Sequence, residues 1–472
     1  VTAVAPAGNL FAIACVSASF ALKSAAQKII GRMTLSVAIV GSGPSGFYTA
    51  EALLKACDEI EIDIIERLPT PYGLIRGGVA PDHAKTKTVA RAYERTARDP
   101  RVRYWGNVEV GRDISVAELR DSYDAVVLAT GASVDRRLGI PGDDKKGVIG
   151  VAAFVGWYNG HPDFRDLGPD LDTEAAAVIG IGNVAVDVAR VLTKTADEMA
   201  ATDLTDYAAA AIHAAPIRDV YMFGRRGPLQ AQFSNVELRE LGHLADAYPV
   251  LDPTQLPDAV PEAMAARRSP RDLRVAERNL ETLREFTRIE PEARVKRIHF
   301  AFYARPVEII GGDRVEALRL ERTELDDDEG AVGTGTFFEV ECGLVVPAIG
   351  YYSEPIDGVP FDRGRSVSND GRIEKGLYAV GWVKRGPSGV IGTNKPDGET
   401  AAAQICTDCP NGHRPGRAAL AATLSERGAR WLTFDDWKVI EAAEEAAAHN
   451  GAPRRKFATV KAMLAALDGS KA

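Results

Sequence analysis

From Leu35 onward, short apolar runs alternate with stretches of helical composition. Val37-Ala38-Ile39-Val40 reads as a buried strand, Gly41-Ser42-Gly43-Pro44-Ser45-Gly46 ends it in a tight turn, and Tyr48 to Leu54 has the residue types of a helix. The alternating run Ile60 to Glu66 predicts a second strand that closes on an acid. The same order returns at Ala177-Val178-Ile179, with Gly180-Ile181-Gly182-Asn183-Val184-Ala185 and a helix behind it, then Val220 to Phe223 as a strand ending in Gly224-Arg225-Arg226. Further strands are expected at Val307 to Ile310 and Leu344 to Val346. Trp431 to Ala448 reads as a helix with Trp437, Ile440, Ala443 and Ala447 on one face. Strands alternating with helices predict an α/β fold. Nothing approaches the ~18 consecutive apolar residues of a membrane helix, and Leu10 to Leu22, the nearest run, is broken by Ser17 and Ser19. An integral membrane protein is therefore not expected.

The two glycine turns carry the chemistry. In the first, Gly41 permits the turn, Gly43 lets a pyrophosphate approach the backbone, and Gly46 lets the helix pack close to the strand. The helix N-terminus then points its unpaired N–H groups at the phosphates. Glu66 stands where an adenosine ribose hydroxyl needs an acceptor. In the second turn Ala185 replaces the third glycine and still allows close packing. Here the strand ends in paired arginines instead of an acid, and forked donors suit the 2′-phosphate of NADP. Two sites with opposite 2′ preferences imply different dinucleotides, most simply FAD in the first and NADP in the second, with hydride passing from nicotinamide to flavin.

Composition narrows the setting. A length of 472 residues suggests about three domain-sized units. With 46% hydrophobic and 26% charged residues, intrinsic disorder is excluded. Lys+Arg 57 against Asp+Glu 66 gives a net charge of -9, which argues against nucleic acid as a partner. Five scattered cysteines do not make a secreted disulfide framework and point to a reducing compartment. Cys406, Cys409 and His413 give C-x2-C-x3-H, one ligand short of a structural zinc site, so no metal is expected.

Four segments are too particular for generic linkers: Leu68 to His83 (LPTPYGLIRGGVAPDH), Tyr123 to Gly131 (YDAVVLATG), Gly224 to Gln230 (GRRGPLQ) and Gly381 to Asn394 (GWVKRGPSGVIGTN). Through them the chain resembles the adrenodoxin-reductase-type ferredoxin-NADP reductases from about Leu35 to beyond Ile440. The resemblance implies that Gly41, Gly43, Ser45, Gly46, Glu66, Leu74 and Val110 line an FAD site, with Trp382 and the backbone of Gly389, Val390 and Ile391 near the isoalloxazine. It implies that Arg136, Ile181, Gly182, Asn183, Val184, Arg225, Arg226 and Glu237 hold NADP. His83, Asp187 and Glu240 match polar residues placed around flavin and nicotinamide and are the catalytic candidates.

The expected architecture is two Rossmann-like three-layer dinucleotide-binding domains, the NADP domain inserted in the FAD domain. In chain order it runs from an extension or leader (1–33) through the first segment of the FAD domain (34–133) and an NADP domain (134–346) to the returning segment of the FAD domain with C-terminal helices (347–472). The implied reaction takes hydride from NADPH to FAD and releases single electrons to a ferredoxin. Arg267, Arg268, Arg271, Arg274 and Arg278 form the densest basic stretch for docking that partner, with Arg239 expected to adjoin it. The expected compartment is the cytoplasm, or an organellar matrix if residues 1–32 act as a leader. Two rival readings stay open: another NADPH–FAD electron-input enzyme, such as a disulfide reductase or a glutamate-synthase-type subunit, and a non-enzymatic flavin redox sensor. A dithiol or iron–sulfur cysteines would mark the first, and neither pattern is visible.

Overall fold

A computed structural model describes residues 34–291, 293–449 and 451–470. The expected leader over 1–33 lies outside them, as does Cys15. The chain begins with strands β1 (Leu35–Val40), β2 (Ile60–Glu66), β3 (Val102–Gly106) and β4 (Ala125–Leu128), followed by the short β5 (Val134–Asp135). Next come β6 (Ala175–Ile179), β7 (Asp219–Phe223), β8 (Ala247–Leu251) and β9 (Lys296–Ala301). Then follow β10 (Ala304–Ile310), β11 (Ala317–Leu325), β12 (Ala331–Glu341), β13 (Leu344–Pro347) and β14 (Tyr351–Tyr352). The last strands are β15 (Phe361–Asp362), β16 (Arg365–Ser366), β17 (Arg372–Glu374) and β18 (Leu377–Ala379). Six helices position the site: α1 (Pro44–Ala56), α2 (Asn183–Thr193), α3 (Asn235–Glu240), α4 (Pro270–Phe286), α5 (Asn394–Asp408) and α6 (Phe434–Ala446).

One sheet has the order β17-β18-β4-β1-β2-β3 and the other β13-β6-β7-β9-β8. Both are parallel apart from the antiparallel edge pair β17–β18. Thus strands from both ends of the chain complete the first sheet, and the second is built from the stretch between them. All six residues of β1 are buried, as a central parallel strand covered on both faces requires. Val37 and Ile39 face one core with Phe47, Leu53, Ile405 and Trp437, while Ala38 and Val40 face the other with Leu119 and Leu420. In β6, Ala176 and Val178 pack toward α2, whereas Ala177 and Ile179 pack on Ile309, Leu318 and Leu320 of the antiparallel sheet β10-β11-β12. The third layer over the second sheet is therefore a β-sheet. Two crossings join the units, and they pair with each other: β5 and β14 are antiparallel, with Asp135 opposite Tyr351.

Helix α6 is shorter than the expected Trp431 to Ala448 and its buried face differs. Ala447 is exposed, and Glu441 and Glu444 are buried beside Trp437 and Ile440. The reason is a partner: Glu444 accepts from Arg76 Nη1 (2.8 Å) and Nη2 (2.5 Å) and from the Phe457 amide (2.8 Å). Among the described residues no helix is long and apolar enough to cross a membrane.

Candidate functional site

The turn after β1 is fixed by steric necessity. Gly41 has φ +110°, and a Cβ on Gly46 would lie 2.1 Å from the Gly41 carbonyl oxygen. By contrast, a Cβ on Gly43 would meet nothing within 4 Å. Gly43 caps α1 without a side-chain hydrogen bond, and no acid sits in the first turn, so the helix end presents bare N–H donors to that open space. Glu66 is held in place as it closes β2. Its Oε2 accepts from the Ser42 amide (3.1 Å) and hydroxyl (2.6 Å), and its Oε1 from the Leu68 amide (3.0 Å). Ser45 lies under Gly381, where a Cβ would come within 2.7 Å of it. Leu74 and Val390 stay 45% and 65% exposed, large apolar side chains with uncovered surface at positions named above as lining the flavin site. Trp382 Nε1–H donates to Ser388 O (3.2 Å), and its ring stacks on Tyr351 at 5.9 Å. Arg385 ties the loop 386–393 down through Thr393, Asn394 and Asp397. This holds the backbone of Gly389, Val390 and Ile391. Val110 is half-buried in the turn bridged to Ile114. An open cradle, a fixed acceptor and uncovered apolar side chains fit FAD.

The second turn repeats the cradle. Gly180 has φ +141°, and Gly182 caps α2 with no side-chain hydrogen bond. Asn183 Oδ1 accepts from the Ser234 amide (2.7 Å), which fixes the loop before α3, and Ile181 and Val184 are half-buried nearby. Arg225 is exposed and Arg226 half-buried, and neither has an ion-pair partner among the described residues. Their carbonyls are anchored by Thr323 Oγ1 (2.8 Å) and the Tyr303 amide (3.1 Å). Two free guanidinium groups on a pinned backbone suit a 2′-phosphate. Arg136, beside β5, donates through Nε to Tyr351 O (3.3 Å) and lies near Gly350 and Pro387, between the units.

His83, Asp187, Glu237 and Glu240 converge, and a residue absent from the sequence reading joins them. Arg190, fully buried one turn after Asp187, reaches Asp187 (2.8 Å), Asp82 (2.7 Å), Glu240 (3.2 Å) and Glu237 (3.5 Å). His83 Nε2 lies 2.7 Å from Arg190 Nη2 and 3.1 Å from Glu240 Oε2. A neutral Nε2 accepts from Arg190, whereas a protonated one donates to Glu240. Burial pulls the His83 pKa down, but the Glu240 hydrogen bond and the Asp187 and Glu237 charges outweigh it and leave it raised. The His83 hydrogen bond holds Glu240 low, while burial raises Asp187 and Glu237. Asp82 and His83 belong to the first unit and the other four to the second, so the cluster bridges the two.

Other expectations change. Arg268 is not a free surface charge: it donates to Leu229 O (2.7 Å) and pairs with Glu329, and Arg267 donates to Asp327 O. Their targets are the turn 326–329 and the GRRGPLQ loop. Arg239, Arg271, Arg274 and Arg278 are exposed. Cys409 donates to Asp124 O (3.3 Å) and the His413 amide to Asp124 Oδ1, so the C-x2-C-x3-H spacing does not converge.

Residues 35–222 match the pyridine nucleotide-disulphide oxidoreductase profile. The chain is 42% identical over 454 residues to NADPH-ferredoxin reductase FprA of Mycobacterium tuberculosis, covering 91% of this chain and 98% of that protein. It is also 42% identical over 455 residues to the mitochondrial NADPH:adrenodoxin oxidoreductase of Homo sapiens, covering 91% of each. The solved structure of Mycobacterium tuberculosis FprA in complex with NADPH superposes with a TM-score of 0.87 at 41% identity, over 92% of this chain and 99% of that one.

Proposed function

The chain belongs to the pyridine nucleotide-disulphide oxidoreductases, in the branch of the NADPH-ferredoxin and adrenodoxin reductases, and on that footing we propose that it takes hydride from NADPH to FAD and passes electrons singly to a ferredoxin-type iron–sulfur protein. The observation that carries this reading is the pair of uncapped glycine cradles with unlike ends, Glu66 at one and Arg225 with Arg226 at the other. Bound FAD supplies a centre that accepts two electrons together and releases them one at a time. The protein's role is positioning. Gly41, Gly43 and Gly46 open the first cradle, Glu66 takes the ribose, and Ser45, Leu74, Val110, Trp382 and the 389–391 backbone surround the rest. Gly182, Asn183, Ile181 and Val184 would form the second cradle, Arg225 and Arg226 would take the 2′-phosphate, and Arg136 would hold another part of the NADP.

His83 lies between Arg190 and Glu240 where the two units meet, its pKa raised against burial by the Glu240 hydrogen bond and by the Asp187 and Glu237 charges. The FAD unit comprises 34–133 and 347–472, and the NADP unit 134–346. The exposed arginines Arg239, Arg271, Arg274 and Arg278 are the docking face for an acidic carrier. We place the reaction in the cytoplasm, or in an organelle matrix if residues 1–32 act as a leader.

Steady-state NADPH oxidation, with and without added ferredoxin and cytochrome c, tests the reading on protein whose flavin has been identified. Turnover that depends on ferredoxin supports it. Absence of FAD, or NADPH oxidation indifferent to any one-electron acceptor, overturns it.

A further inference from the structure

Outside the nucleotide clefts, two thiols distant in sequence meet. Cys57 follows α1 and Cys406 lies in α5, and their sulfur atoms are 2.7 Å apart. Close helix packing brings them there: a Cβ on Gly398 of α5 would lie 2.8 Å from the backbone of Tyr48 and Thr49 in α1, so only glycine permits the approach. Both cysteines are half-buried, whereas Cys342 and Cys409 are buried. A cavity of about 270 Å³ runs along the same helix pair, lined by Lys55 and Ala56 on one side and Ala402 and Ala403 on the other. Ala56 of that lining is the residue before Cys57, and the two half-buried cysteines keep some exposed surface.

We propose that Cys57 and Cys406 form a reversible disulfide when the protein meets a hydroperoxide, tying the C-terminal end of α1 to α5. The thiols are already within reach of bonding, and a disulfide needs a separation near 2.05 Å. Burial, together with the hydrogen bond to Cys406, pushes the Cys57 thiol up to about 12, so Cys57 stays protonated and serves as the resolving thiol. Cys406 sulfur attacks one peroxide oxygen and the O–O bond breaks, leaving a sulfenic acid and water once the departing hydroxide is protonated. Cys57 then attacks the sulfenic sulfur, the S–S bond forms, the S–O bond breaks and a second water leaves. In sum two thiols lose two electrons and two protons, and one peroxide becomes two waters. A dithiol reductant returns the disulfide to two thiols and is itself oxidised to a disulfide.

The bond would sit at the far ends of α1 and α5 from the cradles, so it would brace the FAD unit without entering the site. It closes a very long loop, and cross-links of that kind raise stability chiefly by restricting the unfolded chain.

The test uses the full-length holoprotein, treated with hydrogen peroxide in slight molar excess, quenched, alkylated and digested without reductant. The expected result is a peptide linking Cys57 to Cys406, lighter by two hydrogens and released by dithiothreitol. It should be accompanied by a melting temperature a few degrees above that of reduced protein. Cys57→Ser and Cys406→Ser should each abolish both changes while leaving NADPH oxidation intact. A Cys406–Cys409 link, a link to Cys15, or free alkylation of Cys57 and Cys406 after peroxide would overturn the proposal.

Discussion

Replacing Arg225 and Arg226 together with glutamine tests nicotinamide selection at its source. Glutamine keeps much of the aliphatic stem and removes the charge, and the Thr323 and Tyr303 bonds to the two carbonyls should keep the loop in place. A charge-assisted hydrogen bond contributes about 1.5–3 kcal/mol when desolvated. Arg226 is half-buried and falls in that range, whereas exposed Arg225 is screened and adds about 0.5–1 kcal/mol. Together they amount to about 2–4 kcal/mol, and at 1.4 kcal/mol per factor of ten the preference for NADPH over NADH should fall about 30- to 700-fold. The measurement is kcat/KM for both nucleotides with an artificial one-electron acceptor, for wild type and variant. NADH kcat/KM should stay nearly constant. An unchanged NADPH/NADH ratio, or equal loss with both nucleotides, would show that these arginines do not read the 2′-phosphate.

Four further outcomes follow from the same geometry. Gly43→Val should fold but lose FAD, because a Cβ there meets no protein atom within 4 Å and points into the cradle, whereas Gly46→Val should fail to fold against the Gly41 carbonyl; absorbance and circular dichroism separate the two. Arg190→Met leaves Asp82, Asp187, Glu237 and Glu240 without their shared counter-charge and should lower stability by about 3–5 kcal/mol in denaturant titration. Burial pulls the Lys456 amine down to about 7, although Asp203 lies at 3.1 Å, while Lys87 and Arg76 add to the depression. The unfolded chain therefore binds the extra proton between about pH 7 and the ordinary lysine value, and stability should rise with pH across that window; Lys456→Met should flatten the rise seen by thermal melting. Reversing Arg271 and Arg274 to glutamate should slow ferredoxin reduction and flatten its salt dependence, leaving flavin reduction by NADPH unchanged in stopped-flow traces.

The strand–turn–helix units that carry the candidate site were legible in the sequence. The glycine cradles, Glu66 and Arg225 with Arg226 depend on local spacing, and local spacing is what a chain displays. The resemblance supplied His83, Asp187 and Glu240, but not the residue that binds them together. Arg190 sits on the buried face of α2, and apart from Asp187 one turn before it, its partners come from residues 82 and 83 and from α3, which only tertiary packing brings near. The same limit hid Glu444, a charged residue in a position where an apolar one was expected until Arg76 is seen across from it. Arg268 misled in the opposite sense, since a cluster of arginines in sequence gives no sign of which carbonyls lie in reach. The Cys57–Cys406 contact, separated by 349 positions, follows from how α1 crosses α5 and from nothing nearby in the chain.

The ribbon of β5 and β14 has a mechanical meaning. The chain leaves the first unit at Val134 and returns at Tyr352, and those two residues face each other as strand partners. The inserted unit therefore has adjoining ends, like a bead threaded on a doubled string. Rotation about that doubled string would alter the spacing of the two cradles while leaving both sheets whole, and it would break the ion pairs that bridge the units, among them Arg190 with Asp82 and Lys87 and Lys456 with Asp203. Adjoining ends also make the middle of the chain separable: joined across the gap by a short turn, each unit would keep its own hydrogen-bonded sheet, and a circular permutant opened within the insert could retain every strand pair.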